Sequence, residues 1–348
     1  MPDIRKIDHN FSVETKLNLN DICFLDTKDH PECIYGLIID KVFRRMPDET
    51  AKNVNQGVYE LNSNTSGGRF RFFTDSPYVA IKAISPDAPP VSHMSKSGML
   101  GFDMYEKNNY VKSFIPPEKM SDGYEGLHRF NSRRKRQLTI NFPLYNSVKD
   151  LYIGLQKGAS FRADDSYRKN KKIVFYGSSI TQGGCVSRPG LAYPTQVSMK
   201  LNCDFVNLGF SASAKGEPLM AEYIAGLDPD VFVMDYDHNA PTVEFLEATH
   251  EKFFRTFREL KKDVPIILMS APDVRFHNGD WIKRRNIVYR TYQNAVSTGD
   301  KNVFFLDGMQ LWGKGDWRIC SSDALHPNDI GHYRMAQKLL SVIKKIMT

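Results

Sequence analysis

Two rhythms of apolar and polar positions meet near residue 165. Before that point apolar and polar residues alternate over short runs, as in 68–73 (Gly-Arg-Phe-Arg-Phe-Phe), 78–83, 137–142 and 151–155 (Leu-Tyr-Ile-Gly-Leu). A period of two predicts strands with one wet face. Turn-rich pieces at 85–90, 107–109, 115–117 and 121–123 separate the runs. Many short strands punctuated in this way predict an antiparallel, jelly-roll-like β-sandwich over residues 1–165. No long helical stripe occurs in this half.

Beyond residue 170 the pattern becomes strand, loop, helix. Compact apolar runs at 172–176, 204–208, 231–235, 265–269 and 303–306 predict five buried strands. Between them apolar residues recur at three and four, as in Phe245, Leu246, Phe253 and Phe257, or Ala336, Leu339, Leu340 and Ile343. This alternation predicts an α/β domain over 170–348, a five-stranded parallel sheet covered on both faces. The polar stretch 162–171 reads as the linker.

A chain of 348 residues, 41% hydrophobic and 12% aromatic, has material for a sizeable core, which excludes global disorder. No run approaches the roughly 18 apolar residues of a membrane-spanning helix, so no membrane partner is expected. The first eleven residues carry charge and lack an apolar signal core. The expected compartment is therefore the cytoplasm as written, or the periplasm or exterior if a leader was removed. The net charge of +7 would matter for nucleic acid if it were concentrated. Its densest run, Arg133–Arg136, reads as a solvated hairpin loop rather than a phosphate patch, so no nucleic-acid partner is expected. Five widely spaced cysteines (Cys23, Cys33, Cys185, Cys203, Cys320) with no C-x-x-C pair indicate neither a zinc site nor a disulfide framework.

In open parallel sheets ligands sit at the carboxyl ends of strands, so those ends are where chemistry is sought. The first strand ends in Gly177-Ser178-Ser179-Ile180-Thr181, where a serine hydroxyl can project over the sheet edge. The same residues could form a tight turn, but neither the P-loop nor the dinucleotide glycine pattern is present. The second ends at Gly209, whose backbone N–H is open to a ligand for want of a side chain; a helix-entry turn would look the same. The third leads to Asn239, an amide for the cleft or an Asx turn. The fifth leads to Asp323-Ala-Leu-His326, in which the carboxylate can hold one imidazole nitrogen and leave the other facing the cleft. His128, His250, His277 and His332 read as structural, as lone histidines more often are.

Together these residues resemble the SGNH (GDSL-type) hydrolase superfamily, marked by serine, glycine, asparagine and histidine in that chain order. Gly101-Phe-Asp-Met-Tyr105 and Phe142-Pro-Leu-Tyr-Asn146 are similar to the Gly-x-Asp-Leu-Tyr sandwich that precedes one branch of it. The resemblance implies a flavodoxin-like three-layer hydrolase domain. It implies Ser179 as nucleophile, His326 as general base and Asp323 as its orienting carboxylate. The backbone N–H groups of Ser179 and Gly209 and the Asn239 amide become the oxyanion donors. No cofactor and no metal are called for. Two positions depart from the family pattern: Ser178 stands where Asp is usual, and Ala240 replaces the Asp that often follows the asparagine.

The implied substrate is a short acyl ester, such as an acetyl ester, of a carbohydrate or related polar molecule. An acyltransferase would use the same residues, and an inert glycan-binding protein is the remaining alternative. Loops 272–281 and 311–317 are expected to shape the pocket, with aromatics that either stack on sugar or cap the core. Oligomeric state is not legible.

Overall fold

The computed structural model of the chain describes residues 3–4, 7–8, 17–167, 171–272, 274–277 and 279–347. Most of the opening charged segment, the last part of the expected linker (168–170), and Asp273 and Asn278 of the pocket loop lie outside the described residues.

Among the described residues ten strands form the front half: β1 (Ile22–Asp26), β2 (Ile34–Tyr35), β3 (Arg69–Thr74), β4 (Tyr78–Ile84), β5 (Phe102–Glu106), β6 (Asn109–Phe114), β7 (Gly123–Arg129), β8 (Arg136–Asn141), β9 (Asp150–Gln156) and β10 (Phe161–Ala163). One antiparallel sheet runs β1-β9-β4-β7. The other runs β10-β3-β8-β5-β6, with β2 beside β3. Alternate residues point inward and meet as one core: Phe70 and Phe72, Val79 and Ile81, Phe102 and Met104, Leu138 and Ile140, Leu151 and Ile153.

Two expectations for this half are corrected. Strands β7 and β8 lie in different sheets, so residues 130–135 cross between sheets instead of closing a hairpin. The basic run is not uniformly solvated: Arg133 pairs with Asp75, Arg134 with Glu106, and Arg136 is buried with its guanidinium 4.0 Å from the Phe130 ring centre. The expected linker also begins too early. Phe161–Ala163 is the edge strand β10, and Asp164 is fully buried, accepting from the Arg71 guanidinium at 2.7 Å.

The back half holds β11 (Lys172–Gly177), β12 (Asp204–Gly209), β13 (Val231–Asp235), β14 (Ile266–Met269) and β15 (Val303–Leu306), all parallel, in the order β12-β11-β13-β14-β15. Val174 and Tyr176 face the layer of helices Pro218–Gly226, Val243–Leu260 and Asp280–Ser297. Ile173 and Phe175 face helices Tyr193–Leu201 and Asp329–Ile346. The order reverses at β11, and the crevice over its carboxyl end is where a ligand is expected. Among the described residues no helix is long and apolar enough to cross a membrane.

The halves interpenetrate. Helices Asp48–Val54 and Gln56–Leu61, in front-half sequence, place Ala51, Val54 and Val58 in the same core as Tyr176 and Leu208. Arg69 of β3 reaches Asp204 and donates to the Phe205 carbonyl at 3.1 Å.

Candidate active site

The turn after β11 decides which of two adjacent serines is available. Ser178 is fully buried; its N–H donates to the Asp235 carbonyl, and its hydroxyl caps the short helix Ser179–Gln182 by accepting from Ile180 N–H at 3.2 Å. Ser179 is the first residue of that helix and is partly open. Its N–H has no intrahelical partner.

The Ser179 hydroxyl lies 2.9 Å from His326 Nε2, although 147 positions separate the two in sequence. His326 Nδ1 lies 2.7 Å from Asp323 Oδ2. Asp323 Oδ1 also accepts the backbone N–H of Leu325 at 3.0 Å and of His326 at 2.6 Å. Partial burial would raise this carboxyl, but the hydrogen bonds from His326 and Leu325 prevail and hold it below the usual carboxylate range. An ionised Asp323 keeps the proton on Nδ1 and leaves Nε2 as an acceptor, so the chain Asp323–His326–Ser179 can move the serine proton to Nε2. The turn carrying it closes on itself: Ser321 Oγ and Ser322 N donate to the His326 carbonyl, and Asn328 caps the final helix.

The ends of β12 and β13 meet beside this relay. Asn239 Nδ2 donates to the Phe210 carbonyl at 2.9 Å, and its Oδ1 accepts from Ala212 N–H at 3.1 Å. Reversing the amide would set oxygen against carbonyl and N–H₂ against N–H, so this orientation is fixed. One Nδ2 hydrogen is left over. Gly209 does not act as expected. It is buried, and its N–H donates to Asn207 Oδ1 at 2.8 Å. Its missing side chain serves packing: a Cβ there would run into the backbone of Thr181 and Gln182. The exposed backbone amide at this strand end belongs to Ala212, which holds a left-handed φ of 55°.

Several residues around the site were not singled out from sequence. The half-buried Tyr145 hydroxyl donates to the Ser179 carbonyl at 3.0 Å and lies 3.1 Å from Ser211 Oγ. It sits within the Phe142–Asn146 motif, so the signal was present but not its meaning. Arg45 is fully buried and, among the described residues, has no acidic partner; it donates to the Gly209 carbonyl and to Leu61 O and lies over the Phe210 ring. Burial pulls its guanidinium down to about 9. Asp103 of the Gly-x-Asp-Leu-Tyr motif is fully buried, accepts from Asn141 and from Gly190 N–H at 2.8 Å each, and pairs with Arg188 at 3.3 Å. Tyr105 also meets Arg188, and a Cβ on Gly190 would strike the Tyr105 ring. The motif thus pins residues 188–191, which follow the helix Ser179–Gln182. His332 is buried and driven down to about 4, hence neutral. It accepts from Tyr193 N–H through Nδ1 and donates from Nε2 to the Gly184 carbonyl.

The pocket aromatics divide. Trp312 is buried in the core, and Phe276 and Trp317 pack on that core. Trp281, half-buried, stands 4.9 Å from the ring of His238, next to Asn239, and 5.2 Å from that of His277, which donates to the Ala324 carbonyl in the Asp323–His326 turn.

The profile of the GDSL-like lipase/acylhydrolase family matches residues 170–344. The chain belongs to that family. The profile of the GxDLY N-terminus of SGNH-hydrolase-type esterases matches residues 22–161, which hold the sandwich. A Bacteroides ovatus protein named as a GDSL-like lipase is 28% identical, with a TM-score of 0.84 over 94% of this chain and 98% of that one. The salicylyl-acyltransferase SsfX3 of a tetracycline biosynthetic pathway is 20% identical, with a TM-score of 0.77 over 95% and 99%. A family two carbohydrate esterase from Cellvibrio japonicus is 15% identical, with a TM-score of 0.63 over 94% and 98%. These last two share the fold with this GDSL-family chain. No curated protein matches the sequence.

Proposed function

We propose that the protein is a serine esterase that removes short acyl groups, such as acetyl, from a carbohydrate or related polar substrate. The observation that carries this reading is the Asp323–His326–Ser179 relay, with steps of 2.7 and 2.9 Å. Ser179 Oγ attacks the ester carbonyl while His326 Nε2 takes its proton, forming a tetrahedral oxyanion. That charge is met by the N–H of Ser179 and the spare Nδ2 hydrogen of Asn239, while Ala212 N–H stays on Asn239 Oδ1 and holds the amide in place. The C–O bond to the alcohol breaks, and His326 returns the proton to the leaving oxygen. Water then attacks the acyl-Ser179 ester with His326 again as base, releasing the acid and the free serine. No step calls for a metal.

Two features favour a polar alcohol. Carbohydrate esterases share both halves of the fold, and Trp281 offers an aromatic face at the rim between the Asn239 and His326 turns. A lipase would need a broad apolar entrance. The fold shared with an acyltransferase supports a second reading, in which a hydroxyl replaces water in the second step. Hydrolysis of acetylated sugars, aryl acetates and long-chain esters, measured with and without an acceptor alcohol, tests both. The esterase reading expects acetate from the sugar esters, lost in Ser179→Ala. Transfer to the acceptor in preference to water would replace it with the second reading, and turnover retained in Ser179→Ala would overturn both.

A further inference from the structure

We propose that His93, Cys185, Asp323 and His326 form an inhibitory binding site for a zinc-class divalent cation, built where the sandwich meets the relay. Four ligand atoms, one from each residue, lie within 4.8 Å of one another. They come from three separate segments. His93 belongs to the loop after β4, Cys185 follows the nucleophile helix, and Asp323 and His326 lie in the turn before the last helix. His93 Nε2 stands 3.7 Å from Asp323 Oδ2, and its ring centre is 5.5 Å from that of His326. Two ligands of one tetrahedral zinc, each about 2.0–2.2 Å from the ion, are roughly 3.4 Å apart, so the His93–Asp323 pair is already near that spacing.

The donor set selects the ion. Two imidazoles, a thiol and one carboxylate suit zinc, whereas magnesium and calcium demand oxygen ligands throughout. The site has an entry path, since the His93 side chain is 41% exposed. It has a rigid floor, because the Gly184 carbonyl preceding Cys185 is held by the buried His332 ring. On binding, the thiol proton passes to solvent, four coordination bonds form and nothing is oxidised or reduced.

The consequence for the relay follows from the imidazole. If the ion takes Nδ1 of His326, the remaining proton sits on Nε2, which can then only donate to Ser179. If it takes Nε2, the lone pair that serves Ser179 is used up. Either way the base is lost, so inhibition is complete at saturation and reversed by a chelator.

This goes beyond the esterase reading, and binding can be read without substrate. Calorimetric titration of the full chain with zinc is expected to show one site. Cobalt, as a spectroscopic stand-in, is expected to give a thiolate charge-transfer band. Cys185→Ser and His93→Asn, both outside the proton relay, are expected to keep ester hydrolysis and each to weaken zinc binding and inhibition by about ten-fold or more. Cys185→Ser also loses the cobalt band. No one-site binding at micromolar zinc, or binding unchanged in both variants, would overturn the proposal. Zinc binding through Cys185 and His93 in a chain that hydrolyses no ester would uphold the site and remove the esterase.

Discussion

Asn239 spends one amide hydrogen on the Phe210 carbonyl and its oxygen on Ala212 N–H, and keeps one hydrogen unused. An amide clamped at both ends can face a developing oxyanion without paying for reorganisation at the moment of reaction. Truncating it should therefore damage the transition state more than the ground state. Asn239→Ala is expected to lower kcat for a short ester by roughly 10²–10³-fold, with KM little changed. A raised KM with unchanged kcat would place Asn239 in substrate binding instead. The Phe210 carbonyl and Ala212 N–H hold Asn239 where no Asp follows it, so the support the family pattern puts in the next residue comes here from the backbone of the neighbouring loop.

At the level of elements, the sandwich acts on the site through strand β5. Asp103 and Tyr105 on it hold Arg188 and Gly190, and so fix the segment that leads away from the nucleophile helix. Removing one partner of a buried ion pair costs several kcal/mol because the other is left unpaired. Asp103→Asn is accordingly expected to cost about 3 kcal/mol in chemical denaturation and to reduce kcat while Ser179 stays in place; stability within error of the parent would contradict this role. The five parallel strands were legible because each is a short apolar run ending in a turn, and the serine, aspartate and histidine of the relay were legible because they follow those strands in a known order. Gly209 was misread because an absent side chain looks the same whether it admits a ligand or the backbone of Gln182. Arg45 and His93 were invisible for a related reason. Their contacts with the back half span long sequence separations, 164 positions from Arg45 to Gly209, and no local period records them.

The whole molecule shares one consequence of this interlocking. Beneath the nucleophile turn, Asp235 is fully buried, accepting from Thr181 and Tyr193 hydroxyls at 3.0 Å each. Burial, with Asp237 adding to it, pushes its carboxyl up to about 7, against an ordinary value near 3.9 in an unfolded chain. Between those values the folded state holds the extra proton, so stability falls as pH rises through that window. Asp235→Asn removes the dependence. Relative to the parent, the variant is expected to gain up to about 4 kcal/mol between pH 4 and pH 7.5, measured by urea unfolding at each pH. A difference that does not vary with pH would show that Asp235 ionises normally.

The central claim is that Ser179, activated by His326, becomes acylated. A fluorophosphonate, which phosphonylates an activated serine with loss of fluoride, tests it most directly when the modified residue is mapped by peptide mass. The account predicts a single adduct on Ser179, formed as hydrolysis is lost, and greatly slowed in His326→Ala. An adduct on another residue, or full hydrolysis after Ser179 is blocked, would contradict it.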